Sequence, residues 1–122
     1  MKLLISTILA VVCAASTAAK GADWPPPGLT CPQRTLVVFK SGLKSDQATT
    51  LYSAHLAFII SHLRAGDILT AGPFSEAEGG VMIFRNKDWS VVEQILVGEP
   101  FTKGGVFAID RHVVWNACEL AK

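Results

Sequence analysis

Two histidines, His55 and His62, fall inside the apolar stretch AHLAFIISHLRAGDILTAGPF at residues 54–74. An imidazole, whose ordinary pKa is about 6.5, can take a proton at physiological pH, and a carboxylate on its other nitrogen fixes the tautomer and stabilises the imidazolium. Such a pair suits proton abstraction next to a carbonyl, or elimination, in a small organic acid or phenol. Seven positions on a helix are about 10 Å of rise, so His55 and His62 are too far apart to share one metal ion. With no H-x-x-x-H, H-x-H or C-x-x-C, no metal site is expected. Covalent catalysis has little support, because a G-x-S-x-G elbow is missing. His62 reads as a helix-end residue favoured by the helix dipole. Asp67, just past the helix, is a turn residue or a carboxylate partner for His55. Asp110 and His112 alternate onto one face of a strand and could line a cavity, and Arg85 and Arg111 could bind an anionic ligand. The plainer alternative for His55 is a core histidine satisfied by a backbone carbonyl.

These residues need elements to position them. Apolar residues recur at helical spacing from Ala48 to Ala65: Tyr52, Leu56, Ile59 and Leu63 form one stripe, and Leu51, His55, Phe58 and His62 the stripe beside it. Gly66 stops this helix. Strands are expected at RTLVVFK (34–40), ILTAGPF (68–74), VMIFR (81–85) and VFAIDRHVVW (106–115). A shorter helix, capped by Asp88 or Ser90, ends at Gly98. The order is βαββαβ. With short, right-handed connections it predicts an α+β, ferredoxin-like fold, a four-stranded antiparallel sheet with two helices on one face.

Composition narrows the setting. In 122 residues, half of them hydrophobic, Lys+Arg number 11 against Asp+Glu 10, so almost no net charge is available to attract nucleic acid or an acidic membrane surface. Residues 1–19 read as a signal peptide, with Lys2, an apolar run from Leu3 to Ala15 and small residues for cleavage. That run is shorter than the roughly 20 residues of a membrane span, so no membrane association is expected after cleavage. The mature chain is therefore expected to be exported, periplasmic or secreted. Residues 20–33, with PPPG, read as an extended proline-rich arm, and residues 34–118 as the domain. Export leaves Cys31 and Cys118 as an even pair in an oxidising compartment, which suggests a disulfide. The predicted topology supports it, because an antiparallel last strand beside the first brings the two cysteines near each other.

The strands do not alternate cleanly. Leu36 to Phe39 and Val81 to Phe84 are continuous apolar runs, whereas a sheet with one wet face alternates. Both faces are therefore expected to be hidden, one by the helices and the other by a second copy of the same sheet in a face-to-face homodimer.

The run His55-Leu56 before Leu69-Thr70-Ala71-Gly72-Pro73, with Glu99-Pro100-Phe101 after the second helix, resembles the YCII-related domain family. These are small ferredoxin-like proteins of the dimeric α+β barrel superfamily, and the resemblance covers roughly residues 34–115. It implies an enzyme whose histidine and aspartate form an acid/base pair at the edge of the barrel cavity. The histidine matches His55; Glu99 stands at the aspartate position, a carboxylate one methylene longer. Tyr52 stands where many relatives carry an arginine, which removes an anion-binding group. The expected site is thus His55 with Glu99, or with Asp67, as the acid/base pair, and Tyr52, Arg85 and His112 as ligand contacts. No cofactor is expected. The alternative is a non-catalytic module of the same fold that binds a small ligand or serves as an interaction protein.

Overall fold

The computed structural model describes residues 23–122. The signal-peptide reading of residues 1–19 lies outside them. The described residues form two compact units, the larger spanning Gln33–Asn116.

The larger unit carries the βαββαβ order. Strand β2 (Gln33–Ser41) leads through a single 3-10 turn (Ser45–Gln47) into helix α1 (Ala48–Ala65). Strands β3 (Ile68–Pro73) and β4 (Gly80–Phe84) follow, then helix α2 (Trp89–Leu96), a one-turn helix α3 (Pro100–Lys103) and strand β5 (Phe107–Asn116). The sheet order is β3-β4-β2-β5 with every pair antiparallel, which is the ferredoxin-like arrangement. Helix α1 ends where Gly66 adopts the left-handed conformation, φ 81°, which costs glycine nothing. The helix α3 was not expected from the sequence, since four residues carry no periodicity.

Hydrophobic burial fixes which face the helices cover. Val37 and Phe39 of β2 and Met82 and Phe84 of β4 point to one side, where they form a core with Ile59 of α1 and Val92 and Leu96 of α2. Both longer helices therefore sit on the same face. The other face shows Leu36, Val38, Val81, Ile83 and Val113, all half-buried within the single chain. Alternation thus exists in burial even though it is absent in residue type.

A bulge in β5 changes one expectation. Its register against β2 shifts between Val38 and Phe39: Arg111 pairs with Val38, Ile109 pairs with Phe39, and Asp110 is the extra residue. Asp110 and His112 consequently do not share a surface. Asp110 lies near Lys40, 3.9 Å away, whereas His112 stacks on Trp89 of α2 with ring centroids 3.7 Å apart.

The smaller unit, among the described residues, comprises 23–32 and 117–122. Strand β1 (Leu29–Thr30) pairs antiparallel with β6 (Glu119–Leu120), and Cys31 and Cys118 form a disulfide with S–S 2.02 Å. The segment expected as an extended arm therefore contributes a short strand. Two residues on each side are too few to show a pattern in the sequence.

Candidate active site

Helix α1 supplies His55, and the turn after α2 supplies Glu99. Glu99 is extended (φ −76°, ψ 119°) and immediately precedes Pro100, whose fixed φ suits the first helical position. Its side chain caps α3: Oε1 accepts from the Phe101 amide at 3.1 Å and Oε2 from the Thr102 amide at 2.7 Å. The Thr102 hydroxyl also donates to Oε2, at 2.7 Å. Gly104, just past α3, lets the Leu51 side chain of α1 lie against the helix end, because a β-carbon there would collide with it. That close approach carries the cap of α3 to the flank of α1 where His55 stands.

The result is a buried pair. His55 Nδ1 lies 2.5 Å from Glu99 Oε1, with Glu99 fully enclosed and the imidazole 13% exposed. Burial on its own raises the Glu99 carboxyl. Hydrogen bonds from His55, from the Thr102 hydroxyl and from the amides of Thr102 and Phe101 outweigh it and hold the group below the ordinary 4.5. Because an ionised carboxylate only accepts, Nδ1–H donates to it, which in the neutral ring places the lone pair on Nε2. The ring is fixed from a third direction by Phe101, stacked at 3.9 Å between centroids and 7° from parallel.

Beside His55 is a hollow of about 200 Å³, enough for one substituted ring, since an apolar cavity of about 150 Å³ accepts benzene. Its walls are overwhelmingly apolar, with Phe39, Ile59, Met82, Phe101 and Phe107 among them, and Gly72, Pro73 and Gly80 leave room on the β3–β4 side. Tyr52, one turn before His55 on α1, lines the same hollow and is half exposed.

The other candidates lie elsewhere. Asp67 Oδ2 is 2.9 Å from His62 Nδ1, so its partner is the second histidine and not His55; the ring of His62 also leans on Phe58. Arg85 donates from Nε to the Gly66 carbonyl at 2.8 Å, which closes the end of α1 and does not reach the hollow. It lines a second, more polar hollow with Asp67, Asn86 and Lys87. His112, held on Trp89, is likewise outside the hollow beside His55. Among the described residues, no three His, Cys, Asp or Glu side chains come together as a metal-ligand group. The role sequence reasoning missed is that of Thr102, which anchors Glu99 with both amide and hydroxyl. A Glu-Pro-x-Thr run is a helix-start signal, yet nothing local says the cap will also meet an imidazole from another helix.

The antiparallel sheet and the two helices that cover one of its faces define a ferredoxin-like domain, with an open hollow beside His55. Residues 32–116 match the YCII-related domain, and the chain belongs to that family. No curated protein matches it. Among solved structures it is similar to 5-chloro-2-hydroxyhydroquinone dehydrochlorinase (TftG) from Burkholderia phenoliruptrix in complex with 2,5-dihydroxybenzoquinone. The identity is 25% and the TM-score 0.52, over 73% of this chain and 93% of that one.

Proposed function

We propose that this protein is a small-molecule enzyme of the YCII-related type, with His55 as general acid/base and Glu99 as its positioning carboxylate. The observation that carries this reading is the 2.5 Å contact of His55 Nδ1 with an enclosed carboxylate at the wall of a ring-sized hollow. Nε2 accepts a proton from a bound hydroxyl or from a carbon next to a carbonyl. The electron pair of the broken bond stays in the substrate, and in an elimination it forms the new π bond as the leaving anion departs with the pair of its own bond to carbon, while the proton stays on the imidazole. Glu99 favours the imidazolium by charge and fixes the ring by hydrogen bonding. It takes no proton from substrate, because both its oxygens are occupied. That a family relative of similar fold is a dehydrochlorinase supports a reaction of this class. The test is a screen of halogenated hydroxyaromatics and keto acids, following acid release and ultraviolet absorbance. Removal of a positioned general base lowers rates about 10²–10⁴-fold, so His55→Ala is expected to lose turnover by that factor with its fold intact. Equal turnover in wild type and variant would take the imidazole out of the reaction. Ring binding without turnover of any substrate would favour the non-catalytic module.

The working form in this reading is a homodimer of an exported chain. The half-buried apolar residues Leu36, Val38, Val81, Ile83 and Val113 form a continuous stripe across β4, β2 and β5, and a second copy of the same stripe covers it with matching chemistry. The disulfide is compatible with an oxidising compartment, and no described helix is long and apolar enough to cross a membrane. Sedimentation at micromolar concentration is expected to show a dimer, and Ile83→Lys a monomer. A wild-type monomer would remove this account of the open face.

A further inference from the structure

The hollow beside His55 has a charge balance that its size does not reveal. Its lining side chains are apolar apart from His55 and Tyr52, and neither lysine nor arginine is among them. Behind the imidazole stands Glu99, fully enclosed, whose oxygens are satisfied by His55, Phe101 and Thr102. The wall thus lacks any lysine or arginine cation and has the Glu99 carboxylate directly behind the imidazole, whose Nε2 accepts in the base form that the proposed reaction requires. A ligand hydroxyl can donate to Nε2, and a second ligand oxygen can accept from the Tyr52 hydroxyl. A ligand carboxylate can donate nothing, loses its water among phenylalanine, isoleucine and methionine side chains, and meets the field of Glu99. An unpaired buried charge is the costliest group to desolvate.

We infer that this hollow selects uncharged hydroxyaromatic rings over carboxylates of the same shape, and that Tyr52 is the residue that sets the selectivity. The inference rests on reading the hollow as the ligand site, and it narrows the substrate class from organic acids and phenols to neutral phenols. Tyr52 holds this role by position: it is the polar side chain that shares the hollow with His55, one turn away, and its hydroxyl is a donor without charge. An arginine at 52 would place a cation within the same wall and reverse the balance. Because Tyr52 is 53% exposed, the exchange does not disturb the core.

The experiment compares 4-chlorophenol with 4-chlorobenzoate at pH 7, where the first is neutral and the second ionised, by titration of the full mature protein using ligand-detected NMR. Wild type is expected to bind the phenol about 100-fold more tightly, and Tyr52→Arg to narrow that ratio about 10-fold or more, with an unchanged melting temperature. Equal or tighter binding of the benzoate by wild type overturns the selectivity, as does failure of both probes to bind at millimolar concentration. An unchanged ratio in Tyr52→Arg overturns the role of Tyr52. Selective binding in a protein that turns over nothing sustains this inference while removing the enzymatic one, so the two fail separately.

Discussion

Glu99→Ala is expected to lower the stability of the fold by about 3–4 kcal/mol and to reduce any His55-dependent turnover at the same time. Three effects combine. The alanine removes the cap of α3, worth about 1 kcal/mol. It leaves the Phe101 and Thr102 amides, the Thr102 hydroxyl and the His55 Nδ1–H without their acceptor. It also opens a void where a fully enclosed side chain stood. Glu99→Gln keeps the volume and separates charge from packing, and pH gives the sign. The folded-state carboxyl lies below its ordinary 4.5, so the unfolded chain takes up the proton first as the solution is acidified. The charge-dependent stability is therefore complete above about pH 5 and lost as the pH falls through the lower, folded value. Chemical denaturation of wild type and Glu99→Gln should show a gap that is constant near neutrality and closes in acid. A gap that widens in acid would mean that the carboxyl is not held ionised by its partners.

The second large effect is expected from the disulfide. Cys31 and Cys118 are 87 positions apart, so the bond closes a loop containing all of β2 to β5. In the loop-entropy account, a crosslink of that span restricts the unfolded chain by about 4 kcal/mol. For a domain of this size, that corresponds to roughly 15 °C or more in melting temperature. Thermal melts with and without reductant, and of the double variant Cys31→Ser, Cys118→Ser, measure it. Coincident melts would show that the bond contributes nothing to the unfolding free energy. Because the effect acts on the unfolded chain, the reduced protein should keep its near-ultraviolet spectrum at 25 °C, and the His55–Glu99 contact should persist.

Helix α1 and the strand order were legible in the sequence because their signals are local and long. Eighteen residues of 3.6-residue periodicity stopped by Gly66 leave little choice, and short connections restrict how four strands can pair. Leu36 to Phe39 hid its alternation because both faces of β2 are apolar, so burial separated residues that hydropathy could not. The bulge at Asp110 was invisible for a different reason: the stretch FAIDRHVVW reads as unbroken strand, and the extra residue shows itself only against the register of β2. Of the candidate site, His55 and Glu99 were accessible from the family motifs, and the structure sets them side by side. Asp67 and Arg85 could not be assigned from the sequence, because each closes a neighbouring backbone or side-chain group across the turn that follows α1. Pairings of that kind depend on where the chain reverses, which residue type does not announce.

The double duty of Glu99 bears on how its presence is to be interpreted. A carboxylate that starts a helix and also steadies an imidazole is needed for folding whether or not the site turns anything over. Among the lining residues, the half-exposed Tyr52 is where a change would cost the fold least. The presence of Glu99 on its own therefore does not distinguish an active site from an inactive one.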